Sequence, residues 1–151
     1  TGLGENMMSG TIHVKGNTSQ SAGATAHGGT IIIDGDASSR CGISMKGVDI
    51  VVKGSVGHMS AFMAQAGTLM ICGDAGDALG DSIYESVIYL AGKPKSLGVD
   101  CIEKKVTKND LKKIENLIKI GNIKKLKPHN FKKFGSARKL YNFNIDNVSE
   151  Y

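Results

Sequence analysis

Glycines that recur every 19 residues constrain the fold of this chain more than any other feature of its sequence. The first series is Gly16, Gly35, Gly54, Gly73 and Gly92. A second series keeps the period and changes once to alanine: Gly4, Gly23, Gly42, Ala61 and Gly80. Uninterrupted repetition at about 20 residues is typical of a solenoid, in which each repeat forms one coil of the chain.

Each repeat carries one short strand, an apolar run that ends at a glycine of the first series. The clearest copy is Ile31-Ile-Ile-Asp-Gly35. Helical repeats are longer, at about 33 residues or more. We therefore predict an all-β fold, a right-handed parallel β-helix with 19-residue coils. Strands about 4.8 Å apart would give a rod on the order of 20–25 Å long.

Columns of similar residues are expected where the coils stack. Side chains alternate between the two faces of a strand, so two apolar columns should fill the interior. These columns are Ile12, Ile31, Ile50, Leu69 and Ile88, and then Val14, Ile33, Val52, Ile71 and Leu90. The repeat glycines are expected at sharp bends, because only glycine adopts a positive φ without steric cost.

The column between the two interior columns should face outward, yet it is largely apolar. After His13 it continues with Ile32, Val51, Met70 and Tyr89, which we call the apolar strip. An exposed apolar patch usually marks an interface. We therefore expect either a C-terminal helix or a partner subunit to cover it. The favoured arrangement has the helix on part of the solenoid's outside, not necessarily on this strip, and a partner on the rest. The next outward column alternates in charge and predicts weak ion pairs between coils: Lys15, Asp34 and Lys53.

The composition changes after Gly92 and divides the chain into a solenoid, 1–92, and an extension, 93–151. The solenoid has 4 Lys or Arg and 8 Asp or Glu, and the extension has 15 and 6, which gives −4 and +9 of the total +5. Thr1 aligns with Gln20, inside a coil, so we expect further N-terminal coils that were removed or that another chain supplies.

The extension contains one predicted helix, at about 107–120. Thr107 fits an N-cap, and Asp110 would lie near the positive end of the helix dipole. The residues expected to face the solenoid have helical spacing: Leu111, Ile114, Leu117 and Ile118. The aromatic residues beyond Pro128 are spaced too irregularly for a strand or a helix, and we expect them to run along a surface. They are Phe131, Phe134, Tyr141 and Phe143.

Few residues have the pattern of a catalytic or metal site. His58 and Asp77 share a column and could form an acid–base pair, although a hydrogen bond within a turn is the favoured interpretation. Asp36 and Asp74 follow glycine corners, where they are expected to accept backbone N–H groups and not to bind a metal. The three cysteines are far apart in sequence, which predicts neither a disulfide framework nor a zinc site.

The overall character is that of a protein without membrane or nucleic-acid partners. No apolar run approaches the 20 or so residues that cross a bilayer. The cysteines form no close pair in sequence, and a reducing, cytoplasmic setting is expected. The lysines of the extension lie mostly on or beside an amphipathic helix. They are therefore interpreted as a solvated face and not as a nucleic-acid footprint.

These repeats resemble the GXGXG domain, the C-terminal β-helix of the glutamate synthase large subunit. The stretches that carry the resemblance are 4–10, 22–29, 42–47, 59–65 and Gly73-Asp-Ala-Gly-Asp-Ala-Leu-Gly-Asp-Ser82. The ending, 136–147, is similar to the stand-alone subunit of split systems such as N-methylglutamate synthase. The sequence departs from the pattern at Val48 and Ser86, where the repeat would have glycine. The β-helix subunit of formylmethanofuran dehydrogenase fits the ending less well.

The resemblance implies a structural subunit without a catalytic, cofactor-binding or metal-binding residue of its own. Its expected partners are a glutaminase-type amidotransferase subunit and an FMN-dependent glutamate synthase-type subunit. FMN and an iron–sulfur cluster would then lie in a partner. The alternatives are a formylmethanofuran dehydrogenase-like subunit, or a β-helix that binds a ligand or catalyses a reaction itself.

Overall fold

One parallel strand from each repeat builds the main face of the molecule in the computed structural model, which describes residues 2–138. These strands are β1 (Thr11–Val14), β2 (Thr30–Ile33), β3 (Lys46–Val52), β4 (Ala66–Ile71) and β5 (Val87–Leu90). Each pairs in parallel with the next, mostly in a 19-residue register that places Ile31 opposite Ile12 and Ile50. The predicted parallel β-helix is confirmed.

The interior contains the two predicted apolar columns. Their members in coils two to five have no exposed surface: Ile31, Ile33, Ile50, Val52, Leu69, Ile71, Ile88 and Leu90. In the first coil Ile12 is half-buried and packs against this core. Burial of each such side chain contributes roughly 1.5–3 kcal/mol to folding, so these columns are the main source of stability.

A second wall of the coil is held by single-residue bridges. They follow the 19-residue period through Thr18, Ala37, Val56, Ala75 and Pro94. A further bridge joins Leu79 to Leu97. Parallel pairing between coils therefore continues beyond Gly92.

A column of polar side chains links each coil to the next, and we call it the polar ladder. Its members are Asn17, Asp36, Ser55 and Asp74. In each case a side-chain oxygen accepts the backbone N–H of the residue 19 positions later, at 2.7, 2.8, 2.8 and 2.9 Å in order. Asp36 and Asp74 thus bind backbone N–H groups, as predicted.

The first glycine series is required for space and not for backbone conformation. The expectation of positive φ is wrong here, since none of these residues lies in the left-handed region. An added Cβ would collide with two groups of the preceding coil, the ladder oxygen and the backbone of the equivalent glycine. This holds at Gly35, Gly54, Gly73 and Gly92. At Gly16 an added Cβ would have no neighbour within 4 Å.

The second glycine series lies at a corner where the expectation of positive φ is correct. Gly23 and Gly42 have φ of 72°, and even Ala61, which replaces glycine, has φ of 60°. Positive φ recurs at alternate residues of this corner in every coil. The sets are Gly2, Gly4 and Asn6; Ser21, Gly23 and Thr25; Arg40, Gly42 and Ser44; Met59, Ala61 and Met63; Ala78, Gly80 and Ser82.

The two departures from the repeat pattern have different consequences. At Val48, which is fully buried, the positive φ moves to Gly47, and β3 begins early, with an irregular register toward β4. Ser86 is also buried, and its hydroxyl has no hydrogen-bond partner within the described residues.

The C-terminal end of the solenoid is closed by antiparallel strands that the sequence analysis did not predict. These are β6 (Cys101–Lys104) and β7 (Lys132–Ser136), with helix α1 (Lys108–Gly121) and a short 3₁₀ turn (Pro128–Asn130) between them. Strand β7 lies between β5 and β6 and pairs with both.

The expectation that no strand follows Pro128 is therefore wrong. Phe134 belongs to β7 and packs against the solenoid core, whereas Phe131 packs near α1. Strand β7 forms because it gains hydrogen bonds on both edges, and its own residues give little alternation to signal this. Tyr141 and Phe143 lie outside the described residues.

Candidate interaction surface

Helix α1 lies on the apolar strip and buries most of it. Val51, Met70 and Tyr89 form one cluster with residues of the extension, and every member is at most 3% exposed: Ile114, Leu117 and Phe131 complete the set. Ile32 is also buried, at 6% exposed. Within the described residues, the strip is thus an intramolecular surface and not one left open for a partner.

The inward face of α1 matches the predicted face except at Leu111. Ile114 and Leu117 are fully buried, and Ile118 packs against the same cluster. Leu111 was expected to face the solenoid but is 39% exposed, whereas Asp110 is buried. The buried residues of the helix are Asp110, Ile114, Leu117 and Gly121. This stripe follows the helical period of 3.6. A carboxylate can be buried at its start because the solenoid provides a hydrogen-bond donor there.

That donor is Tyr89, whose hydroxyl donates a 2.6 Å hydrogen bond to Oδ1 of Asp110. The other carboxylate oxygen accepts from Lys133 Nζ at 2.9 Å and from the backbone N–H of Thr107 at 2.7 Å. Thr107 in turn caps the helix by accepting the N–H of Asp110. One carboxylate therefore joins β5, α1 and β7, and we call these residues the Asp110 cluster.

The electrostatics of the Asp110 cluster follow from this geometry. Burial alone raises the pKa of Asp110, but hydrogen bonds from Tyr89, Thr107 and Lys133 outweigh it and lower the pKa to about 2. Burial, together with the hydrogen bond to Asp110, raises the pKa of Tyr89. Both groups hold a fixed charge state near neutral pH, so the cluster is a stable anchor.

A second polar anchor lies further along the helix. Lys113 Nζ contacts Oδ2 of Asp49, in β3, at 2.8 Å. The helix ends at Gly121, where an added Cβ would press on Val51, and Asn122 closes it in the left-handed conformation. The helix therefore runs from β5 at its N-terminus back toward β3 at its C-terminus.

The proposed acid–base pair is not assembled. His58 and Asp77 are both exposed, and no hydrogen bond joins them among the contacts of residues 2–138. Asp77 instead accepts a 3.3 Å hydrogen bond from Ser96. Neither the general-base arrangement nor the turn hydrogen bond expected between these two residues is present.

The predicted charge column forms only in part. Asp34 Oδ1 lies 3.1 Å from Lys53 Nζ and 2.9 Å from His13 Nε2. Hydrogen bonds from His13 and Lys53 lower the pKa of Asp34. Lys15 makes no ion pair with any described residue.

The cysteines are unreactive by environment. Cys41 and Cys101 are buried, Cys72 is partly buried, and none of the three forms a disulfide. Burial raises the pKa of Cys41 to about 12 and that of Cys72 to about 11. Within residues 2–138, no three His, Cys, Asp or Glu side chains are grouped so as to hold a metal ion. In the same range no helix has the length and apolarity to cross a membrane.

A groove of about 470 Å³ opens beside the helix C-terminus, and we call it the basic groove. It is lined by Lys53, Cys72, Asn122, Ile123, Lys124, Lys125 and Leu126. Cys72, Ile123 and Leu126 also pack against the cluster under the helix. The groove is thus the open margin of the interface between helix and solenoid.

Sequence reasoning missed features that differ in how visible they were. The polar ladder was predicted only at Asp36 and Asp74. Asn17 and Ser55 were missed, although they keep the same 19-residue period. The Asp110 cluster had no such signal, because Tyr89 and Lys133 reach Asp110 through contacts that no period connects. The basic groove likewise depends on where the loop after α1 folds back.

Comparison with known proteins gives one family match and one relative. The model of the GXGXG motif family matches residues 3–146. Protein GlxC of Rhizobium meliloti (strain 1021) is 57% identical over 96 residues, which cover 64% of this chain and 42% of GlxC. The chain therefore spans less than half the length of this relative. No solved structure matches this chain. The left-handed corner residues, at i, i+2 and i+4, have the spacing of a G-x-G-x-G motif.

Proposed function

Because the chain belongs to the GXGXG motif family, we propose that it is a non-catalytic structural subunit of a glutamate synthase-like complex. It would hold a glutaminase-type amidotransferase subunit beside an FMN-dependent synthase-type subunit that forms glutamate or N-methylglutamate. FMN and the iron–sulfur cluster would belong to the partners, and the complex would work in the cytoplasm. The resemblance of the repeats to the β-helix of glutamate synthase supports this assignment.

The observation that carries the proposal is that the best-placed titratable groups hold structural elements together. Asp110 and Tyr89 fix the helix, and Asp36 and Asp74 fix successive coils. A general base must instead reach the proton that it removes from a substrate. These carboxylates thus serve the rigidity that a subunit between two enzymes needs.

The test is isolation of the chain with its partners. The protein is tagged in its native cell and purified under mild conditions, and the bound chains are identified. We expect an amidotransferase-type chain and a flavin-containing synthase-type chain in fixed ratio. Purification of the protein alone, or with chains of unrelated chemistry, would overturn the proposal.

A separate assay addresses catalysis by the chain itself. The purified protein is incubated with glutamine, and ammonia release is measured for the wild type and for His58→Ala. We expect no release from either protein. Turnover that His58→Ala abolishes would place the protein among β-helix enzymes.

A further inference from the structure

We propose that the basic groove binds an acidic segment of a partner subunit that also carries a large apolar side chain. This inference rests on the proposed function, since it requires a partner. It adds a specific docking position and the chemistry of the docked segment. Three features of the groove carry it: an apolar floor, a cationic rim, and a position at the margin of an existing interface.

The floor of the groove is unfinished apolar surface. Cys72, Ile123 and Leu126 pack against the cluster formed by Val51 and Leu117, yet all three remain partly exposed. The helix ends at Gly121, before it can cover them. An apolar side chain placed here would extend a packed core and remove this apolar surface from water, which favours binding.

The rim of the groove has one sign of charge. Lys124 and Lys125 are exposed and make no ion pair with a described residue, and no Asp or Glu lines the groove. The third lysine, Lys53, forms an ion pair with Asp34, which does not line the groove. Rims of one charge steer a partner of the opposite charge and fix its register, so the complementary segment is acidic.

The surrounding surface strengthens this choice of occupant. Residues 93–138 contain 14 Lys or Arg and 4 Asp or Glu. Most of these lysines face solvent on α1 and in the loops around it. A partner surface that approaches the groove therefore meets a positive potential over a wide area, which favours an acidic protein surface.

The experiment uses the complex purified through the tagged protein. Carbodiimide cross-linking joins lysine amines to carboxylates in direct contact, and mass spectrometry identifies the linked peptides. We expect Lys124 or Lys125 to be linked to an Asp or Glu of a partner peptide that contains a Leu, Ile, Phe, Tyr or Trp. That peptide is then synthesised and used as the binding probe.

Two double variants with the same change of charge give the matched comparison. Lys124→Glu with Lys125→Glu alters the groove, and Lys108→Glu with Lys112→Glu alters the exposed face of the helix. We expect the groove variant to weaken peptide binding at least roughly tenfold and the helix variant less than about threefold. Thermal unfolding of both variants shows whether the fold is retained.

The outcomes separate this inference from the proposed function. If the tagged protein purifies without a partner, the proposed function fails, and this inference fails with it. If a partner is present but cross-links or variants place its contact elsewhere, only the groove assignment is overturned. Equal loss in both variants would mean general electrostatic attraction and would overturn it as well. Cross-links from the groove to residues 139–151 of the same chain would assign the groove to an intramolecular contact.

Discussion

The hydroxyl of Tyr89 donates a 2.6 Å hydrogen bond to Asp110 and thereby ties the fifth coil to the first turn of the helix. A carboxylate that also binds Lys133 and Thr107 makes this junction sensitive to protonation. Together with the apolar cluster and the Lys113–Asp49 ion pair, this contact holds the helix over the strip and so positions the basic groove.

Removal of the charge at Asp110 should destabilise the protein in a pH-dependent way. The folded-state pKa is lowered to about 2 from its ordinary value of 3.8. The contribution is therefore fully present above pH 4 and is lost as the pH falls toward 2. We expect Asp110→Asn to lower the free energy of unfolding by about 2 kcal/mol at pH 7 and much less at pH 2.

Urea unfolding at pH 7, 4 and 2.5 measures this difference. Glu115→Gln, at an exposed position of the same helix, is the control and should have little effect at any of these pH values. A penalty for Asp110→Asn that stays constant across this range would contradict the role of the ionised carboxylate.

The two leucines of the helix should differ sharply in importance. Leu117 has no exposed surface, whereas Leu111 is 39% exposed. We expect Leu117→Ala to cost about 2–5 kcal/mol as a core truncation and Leu111→Ala to cost less than about 1 kcal/mol. Chemical denaturation of the two variants measures both, and similar losses would show that the inward face of α1 is wrongly assigned.

The first glycine series should tolerate alanine at one position and reject it at another. Gly54→Ala places a methyl group against Asp36 and the backbone of Gly35, whereas Gly16→Ala meets nothing within 4 Å. We expect a loss of about 1–3 kcal/mol for Gly54→Ala and within about 0.5 kcal/mol for Gly16→Ala. Differential scanning calorimetry on this chain tests the pair. If Gly54→Ala were as stable as the wild type, the spatial explanation would fail.

The polar ladder should require an acceptor oxygen and not a charge. Asp36 accepts the N–H of Ser55, and Asn17 does the same for Asp36. We expect Asp36→Asn to keep stability within about 0.5 kcal/mol and Asp36→Ala to lose about 0.5–1.5 kcal/mol, because the hydrogen bond between the two coils is lost. Hydrogen exchange at the Ser55 amide gives a local readout. It should accelerate in the alanine variant alone.

Periodic features could be predicted, and features made by single long-range contacts could not. The strands, their register and the interior columns all repeat every 19 residues. The period therefore identifies Ile31, Ile50 and Leu69 as members of one interior column. The helix could be predicted from Thr107 as N-cap and from the helical spacing of its apolar residues. Its inward face was misassigned at Leu111 because the buried carboxylate of Asp110 is explained only by Tyr89 and Lys133, which belong to other elements.

The glycines illustrate the same limit in another form. Their period was plain, but Gly35 and Gly23 are glycine for different reasons, one for space and one for a φ of 72°. Sequence alone does not separate these reasons, since both favour glycine. Strand β7 was missed because its stability comes from hydrogen bonds to β5 and β6 and not from its own pattern.

The polar ladder has a geometric consequence for any assembly that contains this coil. Each rung fixes one coil against the next with the same 19-residue offset, so coils add length in equal steps of about 4.8 Å. The number of coils then measures the distance between whatever is attached at the two ends. The solenoid thus sets a fixed spacing. Insertion or deletion of one whole repeat would change the distance between the two attached subunits by about 4.8 Å and leave both attachment sites intact.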